Sequence, residues 1–236
     1  MKLNYKKWGM VALSAFLWMA DASAQLTLVK DGKAVSRIVL SEKSEINRQA
    51  ADLLQDFVQR ISGASLPIVE GKAKSGDVVI GGKSAEAGED GFTLCTEQNQ
   101  LRITSGGDKG SIYGVVTLLE KYMGVSYYAY QAYTLTPSKT ITLPEIHLSE
   151  TPAFRYRQSF SYGCDDPIYK MWFRLEEPNE VFIDNMWVHT FDRLMPSDVY
   201  GKDHPEYYSY INGEHRPGNH SQWCLTNPDV FDFVVK

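Results

Sequence analysis

The chain has 236 residues, with 24 Lys or Arg against 29 Asp or Glu, a formal net charge of −5. An acidic balance of this size makes nucleic acid and anionic membrane surfaces poor partners. It leaves room for an uncharged or weakly charged ligand, such as a sugar.

Residues 1–24 read as a targeting segment. Lys2, Lys6 and Lys7 form a basic start, residues 8–20 an apolar run, and Ala22-Ser23-Ala24 a small-residue cleavage site before Gln25. The run is short of the ~20 residues that span a bilayer as a helix. The protein is therefore expected to be exported, to the periplasm, the cell surface or beyond, with no membrane attachment after cleavage. Cleavage leaves 21 basic and 28 acidic side chains, a net charge of −7. Three cysteines cannot close into intrachain disulfides only. Cys95 alternates with Phe92 and Leu94 and reads as a small buried side chain, whereas Cys164 and Cys224 could pair. There is no Cys-x-x-Cys, hence no zinc or redox signature of that kind.

Residues 25–148 read as a compact α+β domain. Leu26-Thr27-Leu28-Val29, the turn Asp31-Gly32 and Arg37-Ile38-Val39-Leu40 suggest a strand pair. Ser44 is placed to cap a helix over residues 45–62, with Ile46, Ala50, Leu53, Leu54, Phe57, Val58 and Ile61 forming one buried stripe and Gly63 ending it. Short strands follow at 66–69 and 77–80, then a hairpin of 91–96 with 100–104. Gly106-Gly107-Asp108-Lys109-Gly110 opens a second, more uniformly apolar helix over 111–123, stopped by Gly124, and strand-like runs follow at 125–130 and 139–144. Two stretches imitate phosphate loops. Gly82-Lys83-Ser84 has Asp77 where a P-loop needs its first glycine, and the turn at 106–110 is explained by its own geometry. No cofactor is expected.

This order of elements resembles the N-terminal accessory domain of α-glucuronidases and β-hexosaminidases. Val79-Ile80-Gly81-Gly82, Asp90-Gly91-Phe92-Thr93-Leu94, Leu101-Arg102-Ile103-Thr104 and Gly110-Ser111-Ile112-Tyr113-Gly114-Val115 carry the likeness. The resemblance implies a module without catalytic carboxylates that precedes a (β/α)8 barrel.

Residues 149–236 read as the incomplete start of that second domain. After a linker-like Glu150-Thr151-Pro152-Ala153, residues 154–160 alternate as a strand does. By the resemblance this is the first barrel strand, and Arg157 points towards the sugar site; a solvated arginine on a strand edge is the plain alternative. Asp165/Asp166 and Glu176/Glu177 are neighbours in sequence. Neighbours on a strand face opposite ways, and a glycosidase needs two carboxyls facing one bond, so these read as solvated acids.

The stretch from 185 to 228 holds four of the five histidines, two tryptophans and four tyrosines. Such a mixture is costly to bury without partners and suits the mouth of a polar-ligand site, although an irregular surface loop would also carry it. His189-Thr190-Phe191, His204-Pro205-Glu206-Tyr207, Asn212-Gly213 and Leu225-Thr226-Asn227-Pro228 resemble bacterial proteins in which an α-glucuronidase-like domain precedes a domain of unknown function. On that resemblance His189, His204 and Trp223 contact the ligand, since imidazoles hydrogen-bond hydroxyls and an indole face stacks on a sugar. A metal site on His215, His220 and Cys224 competes with this, but the spacings match no zinc signature and Pro217 and Gly218 prevent one helix from holding them. Asn227, Pro228 and Asp229 open a helix close to the final residue. A (β/α)8 barrel takes at least ~200 residues, so the sequence reads as a fragment.

The expectation is an exported, glycoside-hydrolase-like, α-glucuronidase-related protein that lacks the catalytic carboxylates and takes oligo- or polysaccharide as its partner. A non-catalytic carbohydrate-binding protein, a metal-dependent hydrolase and a structural surface protein are the alternatives.

Overall fold

The structure is a computed structural model describing residues 25–107, 109–178, 182, 186, 188, 190–218 and 221–235. They form two compact units, one running to Leu175 and the other starting at Glu176. The proposed targeting segment lies outside the described residues. Among the described residues, no helix is long and apolar enough to cross a membrane.

In the first unit, β1 (Leu26–Lys30) turns through Asp31 and Gly32, both in the left-handed region, into the short β2 (Lys33–Ala34). β3 (Ile38–Leu40) does not pair with β1 as the sequence suggested; it enters a different sheet. The reason is burial on both faces. Ile38, Val39 and Leu40 are all buried, as in the interior of a parallel sheet, whereas Thr27 in β1 is half-exposed.

Helix α1 (Glu45–Ser62) has the caps its sequence calls for. Ser44 Oγ accepts the Asn47 backbone N–H at 3.0 Å, and Gly63, at φ 82°, donates its N–H to the Gln59 carbonyl. Then come β4 (Ile68–Glu70), β5 (Val78–Lys83), β6 (Phe92–Glu97) and β7 (Gln100–Ser105). The β6–β7 turn places Gln98 and Asn99 at φ 49° and 57°, the left-handed pair that suits the twist of a two-residue hairpin. It sets Leu94 opposite Ile103, both fully buried.

Helix α2 (Gly110–Tyr122) is followed by the hairpin β8 (Val125–Ala129) with β9 (Ala132–Leu135), then by β10 (Ile141–Leu143) and β11 (His147–Glu150). The main sheet runs β11-β6-β7-β5-β3-β4, with β7, β5, β3 and β4 mutually parallel. β10, β1 and β2 form a separate three-stranded sheet. Helices α1 and α2 pack together and against the main sheet. Gly114 allows α2 to sit close to it, because a Cβ there would stand 2.7 Å from Ile103 Cγ2.

The segment after β11 belongs to this same unit. Residues 154–160 form no strand: Phe154 and Phe160 are more than three-quarters exposed or nearly so, at 75% and 79%. Arg157 instead folds the chain around its own guanidinium. Its Nε donates to the Arg174 carbonyl at 2.6 Å, Nη1 to the carbonyls of Phe154 and Arg155, and Nη2 to Asp90 Oδ2 at 2.9 Å. The pair is largely buried, with side-chain exposures of 15% and 12%. Burial opposes the charged guanidinium, yet Asp90 and the Tyr113 hydroxyl hold its pKa above the usual value.

Helix α3 (Pro167–Trp172) starts at Asp166, whose Oδ1 accepts the Tyr169 N–H at 2.9 Å. It delivers Trp172 into the core, 1% exposed, with ring centroids 5.0 Å from both Phe57 and Tyr127 and its N–H on Glu120 at 2.7 Å. Arg174 Nη2 donates to Thr117 Oγ1 beside it.

The second unit is smaller. It holds two single-turn helices, α4 (Phe191–Leu194) and α5 (Ser197–Tyr200), a 3-10 turn at Pro205–Tyr207, a hairpin of β12 (Tyr210–Ile211) with β13 (Glu214–His215), and α6 (Pro228–Val235). Asn212 and Gly213 make the hairpin turn, both at positive φ. Met195, Tyr208, Trp223 and Val230 are its buried centre, with Phe191, Tyr200 and Tyr207 packed around them.

Two outcomes test the attachment of residues 154–174 to the first unit. Trp172→Ala should cost about 3–5 kcal/mol of stability in urea denaturation, the range for emptying a large aromatic site. Arg157→Met should cost about 3 kcal/mol by leaving the Asp90 carboxylate buried without its counter-charge. Adding Asp90→Asn to that variant should recover part of the loss.

Candidate functional site

The second unit assembles a surface of rings and hydrogen-bonding edges from three short elements. His204 precedes the 3-10 turn, with its backbone N–H on the Tyr200 carbonyl at 2.8 Å. Its imidazole lies flat on Tyr207, centroids 4.6 Å apart and planes 7° from parallel, and its Nδ1 meets Glu206 Oε1 at 3.1 Å. A carboxylate only accepts, so Nδ1 carries the proton and Nε2 is left to face other groups. The Glu206 carboxyl is held below the ordinary range by its own backbone N–H and then by His204, with His215 adding to the effect.

His215, on β13, is fixed in the same sense. Its Nδ1 sits 2.8 Å from the Tyr208 carbonyl, which again assigns the proton to Nδ1 and leaves the Nε2 lone pair available. The Tyr210 ring stands edge-on to it at 5.0 Å. The exposed Tyr210 and half-exposed His215, Tyr207 and Glu206 thus present imidazole nitrogens, a carboxylate and phenol rings together. This arrangement can hydrogen-bond hydroxyl groups and pack against the C–H faces of a sugar ring. Tyr208 is fully buried and donates its hydroxyl to the Met195 carbonyl; burial, with Asp192 and Asp198 nearby, pushes its phenol pKa up.

Trp223 stands behind this surface, not on it. It is 7% exposed, and its indole face is covered by Phe191 at 4.2 Å with planes 8° apart. Among the described residues its Nε1–H has no acceptor. Of the ligand contacts expected from sequence, His204 and Trp223 come together in this unit through Tyr207. His189 lies outside the described residues, as do Trp187 and His220. Arg157 belongs to the first unit, where each of its guanidinium nitrogens is engaged. His215 was legible in sequence only as a metal ligand. Its oriented imidazole depends on the hairpin register, which places Tyr210 opposite it.

Asp165 is exposed 3.7 Å from Lys170, as expected of a solvated acid, whereas Asp166 is half-buried and caps α3. All three cysteines are free. Among the described residues no group of three or more His, Cys, Asp or Glu side chains is placed to hold a metal ion.

A second polar concavity, of about 490 Å³, lies on the main sheet, lined by β6, β7 and β11. Cys95 faces it and is half-exposed, contrary to its expected burial, because the inward positions of β6 are Phe92, Leu94 and Thr96. Its Sγ lies 3.3 Å from Glu97 Oε1 and 3.4 Å from His147 Nδ1, the histidine across the ladder. Burial, with the Glu97 carboxylate, pushes the thiol up to about 11. Cys95 therefore stays a thiol at neutral pH and is no nucleophile there.

Comparison with known proteins shows what each part of the chain is similar to. Residues 24–123 match the family model of glycosyl hydrolase family 20, domain 2. Residues 127–236 match that of a domain of unknown function (DUF4838). No curated protein matches. Similar solved structures include the Streptomyces plicatus N-acetyl-beta-hexosaminidase in complex with Thio-NAglucal, 16% identical over 57% of this chain and 25% of that one, TM-score 0.42. A GH20 exo beta-N-acetylglucosaminidase from Vibrio harveyi is 19% identical over 56% and 18%, TM-score 0.37. A family GH115 4-O-methyl-alpha-glucuronidase is 18% identical over 56% and 19%, TM-score 0.43. This chain spans a quarter of their length or less. Its first part is thus similar to a glycosyl hydrolase family 20 domain 2 and the rest to a domain of unknown function, each match covering less than half of the chain.

Proposed function

We propose that this is an exported, carbohydrate-active protein of glycoside-hydrolase type, related to α-glucuronidases and β-hexosaminidases through its first domain. Residues 25–148 serve as the accessory module, residues 149–175 fold onto it, and the second unit holds saccharide without carrying the reacting carboxylates. The observation that supports this reading is the sequence of domains: a glycosyl hydrolase domain 2 followed by a unit whose His204, Glu206, Tyr207, Tyr210 and His215 present oriented hydrogen-bonding rings.

In this reading the two imidazoles work as matched donors or acceptors. Each has Nδ1 committed to a protein acceptor, so each offers Nε2 to a sugar hydroxyl. Tyr207 is braced by His204 and keeps that ring from rotating away. Leucine or valine in these places could pack on a sugar but could not satisfy its hydroxyls.

The purified 236-residue chain should retain oligosaccharides on a glycan array and show no turnover of aryl glycosides. His204→Ala should weaken that retention by about tenfold, the loss of one or two hydrogen bonds. Robust turnover would contradict the absence of reacting carboxylates. Retention of no glycan at all would contradict the carbohydrate reading.

A further inference from the structure

Trp223 poses a physical problem. Its indole N–H is a donor and nothing else, it is nine-tenths buried, and among the described residues it has no acceptor. A buried donor left unpaired is destabilising, and folded proteins contain few of them. The ring itself is well used, stacked on Phe191 and bridged through its backbone to Tyr208. Packing therefore accounts for an aromatic at 223, but Phe would pack there without leaving a donor stranded.

Charge supplies a second, separate observation. Residues 25–175 contain 17 acidic and 17 basic side chains, so the first unit is neutral. Residues 176–236 contain 11 acidic and 4 basic, so they carry the entire −7 of the chain beyond residue 24. Asp192 and Asp198 act on the Tyr208 hydroxyl, and Glu206 lies beside His204. A ligand carboxylate would approach a unit of net negative charge and be repelled.

We propose that the second unit binds an uncharged saccharide and that the indole N–H of Trp223 donates to one of its oxygens. This rests on the carbohydrate reading above and narrows it: the substrate class is neutral sugar rather than uronate, and Trp223 acts through its edge rather than its face. Because Nε1 is covered in the free protein, binding involves a local opening. Helix α4 is the element suited to give way, a single turn with no side-chain cap and no fully buried residue, and it carries Phe191, which covers the indole.

The test uses the full chain, wild type and Trp223→Phe, which keeps an aromatic ring and removes the N–H. A glycan array bearing neutral and uronate oligosaccharides ranks the ligands, and calorimetry with the strongest neutral binder gives the affinity. Wild type should favour neutral glycans, and Trp223→Phe should bind the chosen one about three- to tenfold more weakly, the range for one hydrogen bond. If the variant does not fold, an indole N–H resonance of wild type that moves downfield on titration with the same neutral glycan supports the donor role. Unchanged affinity in the variant, no shift of any indole resonance, or preference for uronates would overturn it while leaving carbohydrate binding intact. Failure of wild type to bind any glycan would remove both readings.

Discussion

Helix α2 sets the terms for the first unit. From Gly110 to Leu119 every residue is buried, so the helix has no face to give to water. An α-helix of that kind must be enclosed on all sides. The main sheet covers one side, where Gly114 lets the backbone approach Ile103, and α1 lies along another. What remains is closed by the segment after β11. Arg157 reaches the Tyr113 ring and Asp90, Arg174 reaches Thr117, and Trp172 reaches Glu120. Residues 154–174 are thus a strap required by the solvation of α2, and their irregular backbone follows from the side-chain anchors they must deliver.

That requirement explains why Arg157 is unavailable to a ligand in this structure. A strand running past 154–160 would leave the guanidinium free at its edge. The observed chain bends around it, and the guanidinium satisfies three backbone carbonyls that have no strand partner. The saccharide-binding surface proposed above is in the second unit, where the hairpin and the 3-10 turn set an acceptor beside Nδ1 of both His204 and His215.

Local signals in the sequence were read correctly wherever the physics was local. Ser44 and Gly63 bound α1 as their capping chemistry demands, and Gln98-Asn99 turn the hairpin expected there. The errors arose where long-range partners decide. The strand at 26–30 pairs with 141–143, over a hundred residues away, and not with 38–40 next to it, because only a two-sided burial pattern separates the two choices. β11 went unread because His147, Leu148, Ser149 and Glu150 alternate only weakly, and with it the Cys95–His147 contact. Of the aromatic and imidazole stretch after residue 185, the structure sets His204 on Tyr207 and His215 against Tyr210. Which ring faces outwards could not be read from density alone: Tyr210 does, whereas Trp223 is capped by Phe191.

Hydrogen–deuterium exchange, followed by mass spectrometry in free protein and in the presence of a neutral oligosaccharide, tests the central claim that the strap serves α2 while ligand recognition belongs to the second unit. Peptides covering 157–175 should exchange together with those of α2, and added saccharide should slow exchange only in peptides from 191–235. Exchange of 157–175 in step with 191–235, or protection by saccharide confined to 26–150, would contradict it.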